Sequence, residues 1–183
     1  MRPATASETT PPSAWVGRFA PLIAAGGTVL DLACGPGRHS RLLAGMGLAV
    51  EAVDRDAEAL AGLQGLAGVG TRCADLEGGP WPYGGRGFAG IVVANYLWRP
   101  LLPHLLAALD PGGVLIYETF MAGNERHGKP TNPAFLLRPG ELLDVVRGRL
   151  AVLAFEQGEV TQPRPALVQR LCAVRGGPLT LPD

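Results

Sequence analysis

The chain has 183 residues, enough for one domain that buries a sizeable core. Apolar residues make up 47% and charged residues 17%, which excludes a disordered chain. Sixteen Lys and Arg balance sixteen Asp and Glu, so no whole-protein field draws in nucleic acid or an anionic membrane.

Residues 1–13 are rich in Pro, Thr and Ser and read as a frayed tail without a signal-peptide core, leaving 14–183 as the domain. A short helix over 15–24 is broken at Gly26-Gly27, with Trp15 anchoring it, and Arg18 and Trp15 stand where a helix can fold over a pocket. Residues 28–32 form a buried strand, 33–37 a Gly-rich turn and 38–46 a helix. A second strand, 48–53, ends at Asp54, and Asp56 can cap a helix over 57–63. Residues 70–74 form a weaker strand leading to Asp75.

Residues 77–87 hold five glycines and two prolines and read as loop. The strand 88–94 is strongly apolar. Pro100 suits the first turn of a helix over 100–109, Asp110 to Gly113 read as a turn, and 114–120 as a strand. A helix over 139–147 precedes strands at 150–155 and 167–174. No apolar stretch is long enough to cross a membrane. Strands alternating with helices give an α/β fold, a doubly wound, mostly parallel sheet with helices on both faces. The last two strands have no helix between them, so the final one is antiparallel. Cys34, Cys73 and Cys172 lack CxxC spacing, which suggests no disulfide framework and no metal site, and a cytoplasmic setting.

The chemistry concentrates after the first strand. Ligands of open α/β sheets bind beyond the carboxyl ends of the strands, where strand order reverses. Gly35 and Gly37 let backbone approach a ligand, and Asp54, nineteen residues after Gly35, can accept hydrogen bonds from both hydroxyls of a ribose. A dinucleotide and S-adenosylmethionine both fit. The third glycine of a dinucleotide fingerprint is replaced by Ser40, and Asp31 would repel a pyrophosphate while suiting an α-ammonium group.

The segment Asp31-Leu-Ala-Cys-Gly-Pro-Gly37 resembles the glycine-rich first motif of class I S-adenosylmethionine-dependent methyltransferases, departing from it at Ala33, where glycine is usual. Glu51-Ala-Val-Asp54 resembles the ribose-binding second motif and Cys73-Ala-Asp75-Leu76 the third, whose carboxylate meets the adenine amino group. Phe88 to Tyr96 resembles the fourth, and Leu109-Asp-Pro-Gly-Gly-Val-Leu-Ile116 the turn and strand that follow. The resemblance spans most of 28–120 and implies a Rossmann-like seven-stranded sheet with S-adenosyl-L-methionine as cofactor. It implies cofactor contacts at Asp31, Ala33, Gly35, Gly37, Asp54, Arg55, Asp75, Leu76, Asn95 and Tyr96. Gly37-Arg-His-Ser40, Phe135 to Leu142 and the single-domain size are similar to the small tellurite-resistance methyltransferase group.

Cys34 has no evident partner base and reads as a small residue under the cofactor rather than a nucleophile. The irregular stretch 121–135 leaves the cofactor side of the sheet and reads as a lid, with Asn124, Arg126, His127 and Lys129 as substrate contacts. Where the acceptor needs a base, Tyr96, Glu118 and His127 are the candidates; His39 and His104 are worse placed, and a soft anionic nucleophile needs none. Lacking an Asn-Pro-Pro-aromatic tetrapeptide and a basic extension, the chain is expected to act on a small-molecule acceptor rather than nucleic acid. An NAD-dependent oxidoreductase and a non-catalytic partner subunit are the alternatives, and oligomeric state is left open.

Overall fold

The structure is a computed structural model, described for residues 10–177 and 181–182. Nine of the thirteen residues read as a tail, 1–9, lie outside that range. Of the remainder, Ser13 caps the first helix, α1 (Ala14–Phe19), by accepting a hydrogen bond from the Trp15 N–H at 3.1 Å. α1 is shorter than the sequence pattern suggests. The chain continues as a single 3₁₀ turn, Ala20–Leu22, around Pro21, which has no N–H to extend an α-helix.

Seven strands follow in one sheet: β1 (Thr28–Leu32), β2 (Ala49–Asp54), β3 (Val69–Cys73), β4 (Phe88–Ala94), β5 (Leu109–Phe120), β6 (Ala151–Val160) and β7 (Ala166–Val174). Their spatial order is β3-β2-β1-β4-β5-β7-β6. β7 alone runs antiparallel, against both β5 and β6, and the other pairings are parallel. The order therefore reverses between β1 and β4, the position where such sheets bind ligands. The helices are α2 (Arg38–Gly45), α3 (Ala57–Ala61), α4 (Leu102–Ala107) and α5 (Glu141–Val146).

Because alternate strand residues face opposite sides, the core divides in two. Val29, Val50, Val92, Ile116 and Cys172 face Trp15, Val16 and Phe19 of α1 and Leu43 of α2. Leu30, Val53, Ile91, Val93, Leu115 and Leu171 face Leu105 and Leu106 of α4 and Leu142 and Val146 of α5. Burial on both faces explains the apolar runs Val29-Leu30 of β1 and Ile91-Val92-Val93 of β4. At the margin, β3 is mostly exposed, which accounts for its weak sequence signal.

Two elements differ from expectation. The turn at Asp110 to Gly113 lies inside β5 as a bulge: Phe88 pairs with Leu109 and Gly90 with Val114. Its polar groups are matched by the chain after β7, since Gly112 N–H donates to the Arg175 carbonyl and Arg175 N–H to the Gly113 carbonyl. β6 runs five residues further than its apolar pattern, to Val160, because its extension pairs along β7 down to Val160–Ala166.

Candidate functional site

The turn after β1 is set by backbone geometry. Ala33 has φ +52°, Gly35 +53° and Gly37 +80°. Gly37 is needed twice over: as the N-cap of α2 it is left-handed, and a side chain there would collide with Leu63. Ala33 holds a conformation that costs an L-residue roughly 1–2 kcal/mol. The other described non-glycine residue with positive φ is Asn95, at +57°, just beyond β4. Both border the same cavity.

That cavity measures about 280 Å³ and opens beyond the carboxyl ends of β1 to β4. It is lined by Ala33 from the first turn and Asp54 and Arg55 at the end of β2. Asp75 and Leu76 follow β3, and Asn95 and Tyr96 follow β4. Seven of the ten cofactor candidates are thus brought together. Asp31, Gly35 and Gly37 are not on the wall but lie under or beside it. Ala74 and Glu77 complete the lining and were missed in the sequence, where Glu77 reads only as the start of a loop.

Asp54 holds the two rims together. Its Oδ2 accepts the Gly35 N–H at 2.8 Å and its Oδ1 the Asp56 N–H at 3.0 Å. Each oxygen keeps a further lone pair for a ligand hydroxyl. Asp75 folds back on its own loop: the Gly78 N–H first and the Glu77 N–H next hold its carboxyl below the usual range. Tyr96 Oη is buried without a hydrogen-bond partner, the one such side-chain atom among the described residues. Burial first, and the nearby Glu77 charge next, push its pKa up, so the hydroxyl stays protonated at neutral pH.

Asp31 is 1% exposed and accepts the Ser40 hydroxyl at 2.6 Å. Burial raises its pKa from 3.8 to about 6, against the hydrogen bonds from Ser40. Cys34 is also buried; burial, then the charges of Asp31 and Asp54, push its thiol pKa up, away from thiolate chemistry. His39, in the first turn of α2, is 3% exposed and its Nε2 accepts the Ser13 N–H at 3.1 Å. Burial and Arg38 lower its pKa to about 4.

The remaining candidates lie elsewhere. Glu118 is buried on β5 and paired with Arg170 of β7, whose guanidinium also reaches Glu156 and sits over the Trp15 ring. His127 sits between Arg126 and Glu159 of β6, 3.6 Å from the carboxylate. Neither lines the cavity. In the 121–135 loop, Asn124 is 1% exposed and its Oδ1 accepts the Leu167 N–H, so it docks the loop onto β7. Arg126 is paired with Glu159. Among the described residues no group of three or more His, Cys, Asp or Glu is placed to hold a metal ion.

Residues 29–113 match the family model described as a methyltransferase domain. The chain superposes on TehB from Haemophilus influenzae with a TM-score of 0.73 at 20% identity, covering 92% of this chain and 64% of TehB. A SAM-dependent methyltransferase from Methanosarcina mazei gives 0.70 at 15% identity, covering 91% and 99% of the two chains. One from Mesorhizobium loti gives 0.67 at 18%, covering 88% and 98%. No curated protein sequence matches. The fold is thus that of the class I methyltransferases, and it resembles the TehB group. The methyltransferase-domain match at 29–113 falls on the segment that carries β1 to β4 and the cavity they border.

Proposed function

We propose that the protein methylates a small-molecule acceptor, holding the nucleoside of S-adenosylmethionine in the cavity beyond β1 to β4. The observation that carries this reading is the cavity's polar lining. Asp54 presents spare acceptor positions where ribose hydroxyls can donate, and Tyr96 Oη is a buried donor awaiting an acceptor. The volume, about 280 Å³, is near the lower bound of ligand pockets, roughly 300 Å³, and suits a nucleoside rather than the whole cofactor. The amino-acid arm then lies over the turn at Ala33 to Gly37, above the buried Asp31.

Each residue has a role in this reading. Asp54 fixes the ribose, Leu76 packs beside the base, and Asp75 meets the adenine amino group with the oxygen positions its loop leaves open. Arg55 flanks the ribose, Asn95 and Tyr96 form the wall on the reacting side, and Asp31 supplies negative charge beneath the α-ammonium. The cofactor brings an activated methyl group, so the protein's work is alignment and exclusion of water. Tyr96 enters as a neutral donor. No side chain on the cavity wall is set up as a strong base, which favours acceptors that need none at neutral pH.

Calorimetric titration with S-adenosylhomocysteine and, separately, NADH tests the site. Micromolar binding of the first alone is the expected result. Binding of NADH alone, or of neither, would overturn it. Labelled S-adenosylmethionine offered with thiols, amines and phenols then tests the acceptor; labelling of protein or RNA but of no small molecule would refute that part and favour a macromolecular substrate.

A further inference from the structure

Asn95 and Tyr96 form one wall of the cavity, and the chain runs on through Arg99 into α4. This stretch is held at three points. The Asn95 N–H donates to the Glu118 carbonyl at 2.8 Å, and the Tyr117 hydroxyl donates to the Tyr96 carbonyl at 3.0 Å. Arg99 makes the third attachment, through four hydrogen bonds. Nε and Nη2 donate to the two oxygens of Glu141 at 2.7 and 3.0 Å. Nη1 and Nη2 donate to the carbonyls of Ala134 and Leu136 at 2.7 and 2.8 Å.

Of those partners, Ala134 lies at the far end of the 121–135 loop, Leu136 follows it directly and Glu141 opens α5. The neck of the loop closes where Met121 bridges Leu137: Ala122 N–H donates to the Leu137 carbonyl and Leu137 N–H to the Phe120 carbonyl. Glu141, 4% exposed, also accepts the Arg138 N–H at 2.7 Å. Burial alone would push its pKa up, but Arg99 and that N–H outweigh burial and hold it below the usual value, so the pair stays charged. One guanidinium therefore ties the wall that carries Tyr96 to the neck of the loop. Apolar packing already seats α4 and α5 on the sheet. What the two-pronged fork adds is a fixed orientation.

We propose that Arg99 and Glu141 are a positioning pair, which keeps the Asn95–Tyr96 wall and the neck of the 121–135 loop in one geometry so that cofactor side and loop side act as a unit. Its bearing on ligand binding rests on the cavity being the cofactor site; the coupling of the two segments does not. Loop motion is then confined to residues beyond the neck.

Backbone hydrogen exchange and S-adenosylhomocysteine titration of Arg99→Gln, Arg99→Lys, Glu141→Gln and the milder Tyr117→Phe provide the test. In both glutamine variants the amides of Asn95, Ala122 and Leu137 should exchange about tenfold faster or more, together, while Cys34, bonded to the Val53 carbonyl, is unchanged. Affinity for S-adenosylhomocysteine should fall about tenfold, and Arg99→Lys should not restore it, because a lysine keeps the charge but loses the fork. Tyr117→Phe should loosen Asn95 but not Leu137. Faster exchange at the neck alone, a uniform rise across the sheet, or rescue by lysine would overturn the proposal. If the unaltered protein fails to bind S-adenosylhomocysteine, the cavity reading falls while the exchange results still decide the coupling. If it binds and every variant binds equally well, the pair's effect on the site is refuted and the cavity reading stands.

Discussion

Replacing Asp31 with asparagine removes a charge that the fold holds at a cost. In the unfolded chain this carboxyl ionises near 3.8, and in the folded protein near about 6, because burial outweighs its hydrogen bonds from Ser40. Between those values the native state binds the extra proton, so this group lowers stability as pH rises, with the full loss reached above about 6. The difference corresponds to about 3 kcal/mol at neutral pH. About 2 kcal/mol of it should develop between roughly pH 4.5 and pH 7.5. Asparagine can still accept the Ser40 hydroxyl but does not titrate, so its stability relative to the unaltered protein should rise by that amount across the interval. Urea unfolding of both proteins at the two pH values, followed by tryptophan fluorescence, isolates the effect, since every other titrating group cancels in the comparison. An equal difference at both pH values would refute the argument that Asp31 is a desolvated carboxylate. A charge kept despite this cost points to use, and the same substitution should weaken S-adenosylhomocysteine binding while stabilising the ligand-free fold.

Asp54→Ala should reduce S-adenosylhomocysteine affinity by about 1–3 kcal/mol in calorimetry, through lost ribose contacts and release of the Gly35 N–H. Tyr96→Phe should raise the stability of the ligand-free protein by about 1 kcal/mol, since it deletes an unpaired buried hydroxyl, and lower ligand affinity; a destabilised variant would mean that Oη is already satisfied. Ala33→Gly relieves a left-handed residue, so thermal unfolding should be unchanged or raised by up to about 1 kcal/mol with binding retained. Ala33→Val should lose both.

The parts of the fold and site governed by local chemistry were legible in the sequence. The turn from Asp31 to Gly37 needs its glycines for backbone reasons. Asp56 caps α3 by accepting from Glu58 and Ala59, the short-range bonding its residue type favours. Strand-end carboxylates fell on one side of the sheet because parallel strands share a direction, which placed Asp54 and Asp75 at the cavity. What escaped depends on partners far along the chain. Glu118 looked like a candidate base, but its partner Arg170 lies 52 residues away and arrives only through the antiparallel insertion of β7. The polar residues Asn124, Arg126 and His127 looked free for substrate; β6 and β7 claim them, through Glu159 and the Leu167 N–H. Glu77 escaped for the opposite reason. Nothing in a glycine-rich loop reveals which of its side chains the turn at Asp75 will aim inward.

The bond from Ser13 to His39, with the Arg38 guanidinium on the Pro11 carbonyl, means that the polypeptide comes into the domain beside the glycine turn. The threshold of the proposed site is therefore shared with Pro11 to Ser13. Residues 11–13 thus border the rim that carries the proposed site, whereas the chain after Val174 leaves at the opposite rim of the sheet, by the bulge of β5. A change at Ser13 or His39 is therefore felt at the glycine turn, while one beyond Val174 acts on the far side of the sheet.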